Sequence, residues 1–148
     1  DVEWIKKRWG GKLILKGIMD AEDARLAVNS GADALIVSNH GGRQLDGAPS
    51  SIAALPAIVQ AVGKDIEVWM DGGIRSGQDV LKARALGARG TLIGRSFLYG
   101  LGAYGELGVT RVLEIIRKEL DLTMAFCGRT DINTVDTSIL LPGTYPTP

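Results

Sequence analysis

The sequence holds one cysteine, Cys127, and one histidine, His40, among 148 residues. A single thiol excludes an internal disulfide, fits a reducing compartment, and reads as a packing residue. With no second histidine and no cysteine cluster, there is no ligand set for a metal, and none is expected. A charge excess of either sign is missing too: 17 basic residues balance 17 acidic ones. That balance offers no basic field for nucleic acid and no acidic tail, so a small-molecule partner is expected. Long apolar runs are absent. The longest mostly apolar stretch, Ile52 to Val62, contains Pro56 and Gln60 and falls short of the ~20 residues that a membrane span needs. Asp1-Val2-Glu3-Trp4 has neither the basic start nor the apolar core of a signal peptide and runs straight into an amphipathic pattern, so the chain is expected to start in mid-fold. Its length suits one domain, or part of one, and is well short of the roughly 250 residues of a closed eightfold barrel.

What the sequence does contain is alternation. Short β-branched apolar runs at Leu13 to Lys16, Ala34 to Ser38, Glu67 to Asp71 and Thr91 to Ile93 are separated by longer helical patterns. This is the sequence form of four βα units on a parallel sheet, with each strand covered on both faces. Helices are expected near 21–30 and 77–86 and from Ser50 or Ser51 to Val62. A fourth carries the stripe Val109, Val112, Leu113, Ile116 and Leu120, read as core packing. Asp20 with Asp23 and Ser76 with Asp79 resemble capping boxes, and Gly31 and Gly87 suit helix C-termini. Shifting the chain by 56 positions aligns Gly17–Asn39 with Gly73–Arg95 and matches Gly17/Gly73, Ile18/Ile74, Asp23/Asp79, Ala27/Ala83, Gly31/Gly87 and Ala32/Ala88. These matches fall at strand end, cap and helix stop, as a repeated strand–helix–strand unit requires.

In parallel βα folds the strand C-termini line one face, and that face carries the site. Lys16, the run Ser38-Asn39-His40-Gly41-Gly42-Arg43-Gln44, the run Asp71-Gly72-Gly73-Ile74-Arg75 and the pair Gly94-Arg95 all fall there. Gly72 and Gly73 let backbone N–H groups approach a ligand. The helix behind Arg75 offers a positive end, and Arg75 and Arg95 add two charges, which together describe a phosphate site. A lone histidine is more often structural, but His40 lies in a glycine-flanked loop three residues before an arginine. It can act as a base while Arg43 holds a carboxylate with its two-pronged guanidinium. Lys16 faces the barrel mouth, where its ammonium meets either an anionic cofactor atom or Asp71. Ser38 and Asn39 either join the site or stabilise the loop.

These runs, from Lys16-Gly17 through Ser38 to Asp46 and Asp71 to Arg75 to Gly94-Arg95, resemble the FMN-dependent α-hydroxy-acid dehydrogenases and oxidases, and the likeness covers nearly the whole chain. L-lactate dehydrogenase, mandelate dehydrogenase and glycolate oxidase belong to that family. The resemblance implies an α/β fold, a TIM (β/α)8 barrel, with residues 1–148 forming its C-terminal half. It implies FMN as cofactor, His40 as catalytic base and Arg43 as the group that binds the substrate carboxylate. Lys16 and Ser38 would lie beside the flavin ring, and Asp71, Gly72, Gly73, Arg75, Gly94 and Arg95 would hold the ribityl chain and phosphate. The implied reaction oxidises an L-2-hydroxy acid, lactate or mandelate foremost, to the 2-oxo acid. Either a hydride moves to flavin N5 or His40 first takes the carbon-bound proton, and the residues fit both routes.

The resemblance also implies partners: the N-terminal half of the same barrel, and further copies in a homotetramer, with the proline-bearing tail from Thr137 to Pro148 crossing the surface to a neighbouring subunit. The chain is expected to have been cut in the loop before the fifth barrel strand. The whole protein is expected in the cytoplasm, or at the inner membrane through a segment outside this chain. The alternative is a flavin-binding half-barrel that is inactive without its N-terminal half, since open sheet edges need cover.

Overall fold

The computed structural model describes residues 1–148. Helix α1 (Val2–Trp9) leads into β1 (Ile14–Ile18). Helix and strand then alternate through α2 (Ala21–Asn29), β2 (Ala34–Val37), α3 (Ser51–Val62), β3 (Glu67–Met70), α4 (Gly77–Ala85), β4 (Gly90–Thr91) and α5 (Arg95–Phe126). The strands form one parallel sheet in chain order, β1-β2-β3-β4. An order that never reverses is the arc of a (β/α)8 barrel, not a doubly wound sheet with a switch point. All four expected strands are present, each shifted by one or two residues at one or both ends.

Leu35, Val37, Val68 and Met70 from the sheet pack against Leu55, Ile58 and Val62 of α3 and the small Ala24, Ala27 and Ala83 of the flanking helices. Each large buried side chain contributes about 1.5–3 kcal/mol of apolar burial. Two-sided cover, expected of every strand, holds only for β2: the interior strand β3 is buried at alternate residues, and on the edge strand β1 Ile14 is exposed. The accessible surface is 9584 Å², against about 7,300 Å² for a compact monomer of this mass. The excess is uncovered sheet and helix face.

Other expectations change in the same direction. The stripe on α5 is not core: Leu113 is 52% exposed and Val109, Val112, Ile116 and Leu120 are only half-buried, since α4 is the principal helix packed against it. Cys127 is exposed just beyond that helix and packs nothing. Ser76 and Asp79 form the full reciprocal box at α4. At α2 only Asp20 caps, accepting from the Glu22 N–H at 2.7 Å, because two carboxylates, Asp20 and Asp23, repel where a hydroxyl and a carboxylate attract. The tail lays Leu140 and Tyr145 on this chain's own core.

Asp33, just ahead of β2, ties α1 to the base of the sheet. Its carboxylate accepts from the Leu13 N–H (2.8 Å) and pairs with Lys12 (3.0 Å) and Lys6 (3.1 Å), and Lys6 also donates to the Gly31 carbonyl. The Leu13 N–H first, then Lys12 and Lys6, hold this carboxyl well below its ordinary value of 3.8. A lowered folded-state pKa stabilises above the unfolded value, and that stability is lost as pH falls through the folded one. Acidification below 3.8 is therefore expected to lower the hydrogen-exchange protection of the α1 amides ahead of that in β2, and Asp33→Asn to do so at neutral pH. Equal protection of the two segments down to global unfolding would rule the tether out.

Candidate functional site

Past the end of β2 the chain turns sharply, and its polar side chains are spent on holding that turn. Ser38 is 1% exposed, and its Oγ accepts from the His40 N–H at 3.1 Å and from Lys16 Nζ at 2.8 Å. Asn39 Oδ1 accepts from the Gly41 N–H (3.0 Å), its Nδ2 donates to the Pro49 carbonyl (3.1 Å), and its N–H donates to Ser51 Oγ (3.3 Å). So braced, His40 adopts φ +56, the one non-glycine residue in the left-handed region. Strain of this kind persists only where the surroundings over-determine it.

The turn opens on a cleft of about 480 Å³ at the C-terminal ends of the strands. Lys16, His40, Arg43, Asp71, Gly72, Gly73, Arg75, Gly94 and Arg95 all line it. Ser38 alone of the expected residues does not; it lies beneath Lys16 and His40 and braces both. The cleft also has an apolar wall of Ile74, Leu92, Ile93, Phe97 and Leu98 that the sequence reading passed over. These residues looked like ordinary strand and helix positions.

Lys16 meets Asp71 rather than standing free: Nζ lies 2.8 Å from Asp71 Oδ2. Of the two partners expected for Lys16, the structure shows Asp71, in an ion pair on the cleft wall. An ammonium has three protons, and Ser38 and Asp71 take two, which leaves one donor for a ligand. Asp71 Oδ1 is buried and has no donor, so a hydroxyl or amide placed there would gain a hydrogen bond otherwise lost. Arg75 and Arg95 are exposed and neither pairs with a carboxylate.

The positive helix end is not the expected one. At α4 it is consumed by the protein itself: Asp79 Oδ2 accepts from the N–H groups of Arg75 and Ser76, each at 3.0 Å, and Glu119 Oε2 accepts from the Gly77 N–H at 2.9 Å. Helix α5 instead starts at Arg95 behind Gly94, which has no side chain to cap it. Its first N–H groups are free to meet an anion. This arm, residues 95–103, is set off from 106–126 by non-helical Tyr104 and Gly105. It was not read from the sequence, where Gly94-Arg95 shows only the N-cap tolerance of glycine as a signal.

The profile of the FMN-dependent dehydrogenase family matches residues 1–142. The chain belongs to the FMN-dependent dehydrogenase family. An L-lactate dehydrogenase of Pseudomonas syringae is 54% identical to this chain over 141 residues, which make up 95% of the chain and 37% of that relative. A pre-mycofactocin synthase of Mycolicibacterium smegmatis is 49% identical over 143 residues, 96% of the chain and 36% of the relative. Among solved structures, a mandelate oxidase superposes with a TM-score of 0.88 at 47% identity, covering 90% of this chain and 41% of that one. A monotopic membrane protein, (S)-mandelate dehydrogenase, does so with a TM-score of 0.90 at 43% identity, covering 93% and 36%. The chain therefore spans little more than a third of the length of its curated relatives, as the C-terminal half of a TIM barrel. No helix in it is long and apolar enough to cross a membrane.

Proposed function

We propose that this chain is the cofactor- and substrate-binding half of a barrel that oxidises an L-2-hydroxy acid, lactate or mandelate foremost, to the 2-oxo acid. One observation carries the reading: a base, a free guanidinium, a Lys–Asp pair and two unpaired arginines converge on a single cleft at the strand C-termini. The residues fit FMN. Arg75, Arg95 and the uncapped end of α5 suit its phosphate, and the open backbone at Gly73 and Gly94, where a β-carbon would touch nothing within 4 Å, leaves room for close approach. The donorless Asp71 Oδ1 suits a ribityl hydroxyl, with Gly72 beside it. The spare proton of Lys16 suits the polar edge of the ring, and Ser38 acts there through Lys16.

FMN, when bound, supplies the two-electron acceptor. The chain's own part is to place and deprotonate the substrate. Arg43 grips the carboxylate with two parallel N–H groups. His40 takes a proton from the hydroxyl, or from the carbinol carbon, and holds it on its imidazole. The 9584 Å² of surface, with Trp4, Tyr99, Tyr104, Leu107 and Phe126 exposed, gives an N-terminal half and further copies in a tetramer apolar ground to cover. Without that half the chain binds flavin and does not turn over. A cytoplasmic or peripheral inner-membrane location goes with this reading, and the monotopic mandelate dehydrogenase supports the second.

The test is the visible spectrum of the purified protein, with any companion chain, before and after anaerobic addition of L-lactate, mandelate and glycolate in turn. Bleaching of the flavin band by one of them is expected. With the N-terminal half present, a band that none of the three bleaches would sink these substrates, and no band at all would sink the cofactor.

A further inference from the structure

Gly17 occupies an irregularity of the sheet. Strands β1 and β2 pair Lys16 with Ile36 and Ile18 with Val37, so Gly17 has no ladder partner and bulges out. Its φ is +96, a conformation that glycine adopts without a β-carbon penalty. Bulges beside active sites re-aim neighbouring side chains. Here the space that a β-carbon would fill is taken by His40: imidazole Cε1 lies 2.8 Å from that position, Nδ1 3.6 Å and Nε2 3.8 Å. Two left-handed residues, one on each of two adjacent strand ends, thus meet ring against backbone.

We propose that Gly17 is a positioning residue: its missing side chain is the seat of the His40 imidazole, and the seat sets where the ring nitrogens stand in the cleft. This rests on the reading of His40 as the base. The role is one of placement more than of packing, because the atoms that a methyl would strike are the far end of an exposed side chain. At Gly77, by contrast, a β-carbon would meet the backbone N of Leu120 at 1.9 Å, and no side-chain movement relieves that. A methyl at position 17 therefore moves the ring and spares the core. Lys16, one residue earlier, stays anchored by Asp71 and Ser38, so the cofactor side of the cleft is unaffected.

The experiment compares Gly17→Ala with Gly47→Ala in the flavin-loaded whole protein, with the N-terminal half of the barrel present. Gly47 has φ +78 and nothing within 4 Å of where a β-carbon would stand, so its variant carries the backbone strain without the contact. Two signals are read: turnover of the hydroxy acid, and the imidazole Cε1–H NMR resonance, assigned by its loss in His40→Gln. Gly17→Ala is expected to keep the flavin spectrum, shift the resonance, and lower kcat roughly 10- to 100-fold, as a misplacement near 1 Å does. Gly47→Ala is expected to do neither. An unmoved resonance with turnover equal to that of Gly47→Ala would overturn the proposal, and so would a Gly17→Ala protein that fails to fold, since the ring is held to yield before the core. Full turnover in His40→Gln would instead remove the base assignment, while the resonance would still decide the seat.

Discussion

In the whole protein, with the N-terminal half present, His40→Gln is expected to leave the flavin bound and to slow its reduction by the hydroxy acid about 10²- to 10⁴-fold, the range that general-base catalysis contributes. Glutamine keeps a polar side chain of similar reach but accepts no proton near neutral pH. His40 is exposed and its loop is held by Ser38, Asn39 and Ser51 rather than by the imidazole, so the fold has little to lose. The residues proposed to hold the flavin, apart from Ser38 beneath Lys16, lie on or follow other strands. Substrate affinity is expected to hold, because Arg43, the proposed carboxylate ligand, would act independently of the base. Anaerobic stopped-flow spectroscopy at saturating substrate reads the effect directly, and reduction at an unchanged rate would remove His40 from the chemistry.

The double variant Arg75→Ala/Arg95→Ala is expected to lose FMN while keeping riboflavin. A hydrogen bond to a charged group contributes about 1.5–3 kcal/mol, so two lost together weaken FMN roughly 10²- to 10⁴-fold. Riboflavin, which has no phosphate, would bind the variant and the unsubstituted protein alike. The comparison is clean because neither arginine pairs with a protein carboxylate, and removing them strands no buried charge. Fluorescence titration with both flavins measures it. Equal weakening of the two ligands would place the arginines elsewhere than on the phosphate.

The parts of this fold that could be read in advance are those decided by neighbours in sequence. Alternating apolar runs announced the parallel sheet. Ser76 and Asp79, three residues apart, announced their cap, and the clustering of Lys16, His40, Arg43, Asp71 and Arg75 at strand ends announced the cleft. What escaped depends on contacts across the chain. Asp79 is both a cap and the reason α4 has no positive end to offer, and Glu119, 42 residues after Gly77, completes that closure. Leu113 sits on a helical stripe that periodicity cannot distinguish from core, because periodicity reports which residues share a face and not what covers it. The meeting of Gly17 with His40 needs a bulge and a turn on separate strands, and no spacing encodes it.

The two arms of α5 touch backbone to backbone: a β-carbon on Gly100 would lie 2.4 Å from the Gly108 carbonyl oxygen, and one on Gly108 would lie 1.8 Å from that of Gly100. The second arm in turn presses its backbone on Gly77 at the start of α4. Three residues that face no ligand thus fix how far the uncapped helix end at Arg95 stands from Arg75. The gauge of the proposed anion pocket is written in that crossing, and re-boring it for a larger or smaller anion would begin there, not at the arginines that would grip it.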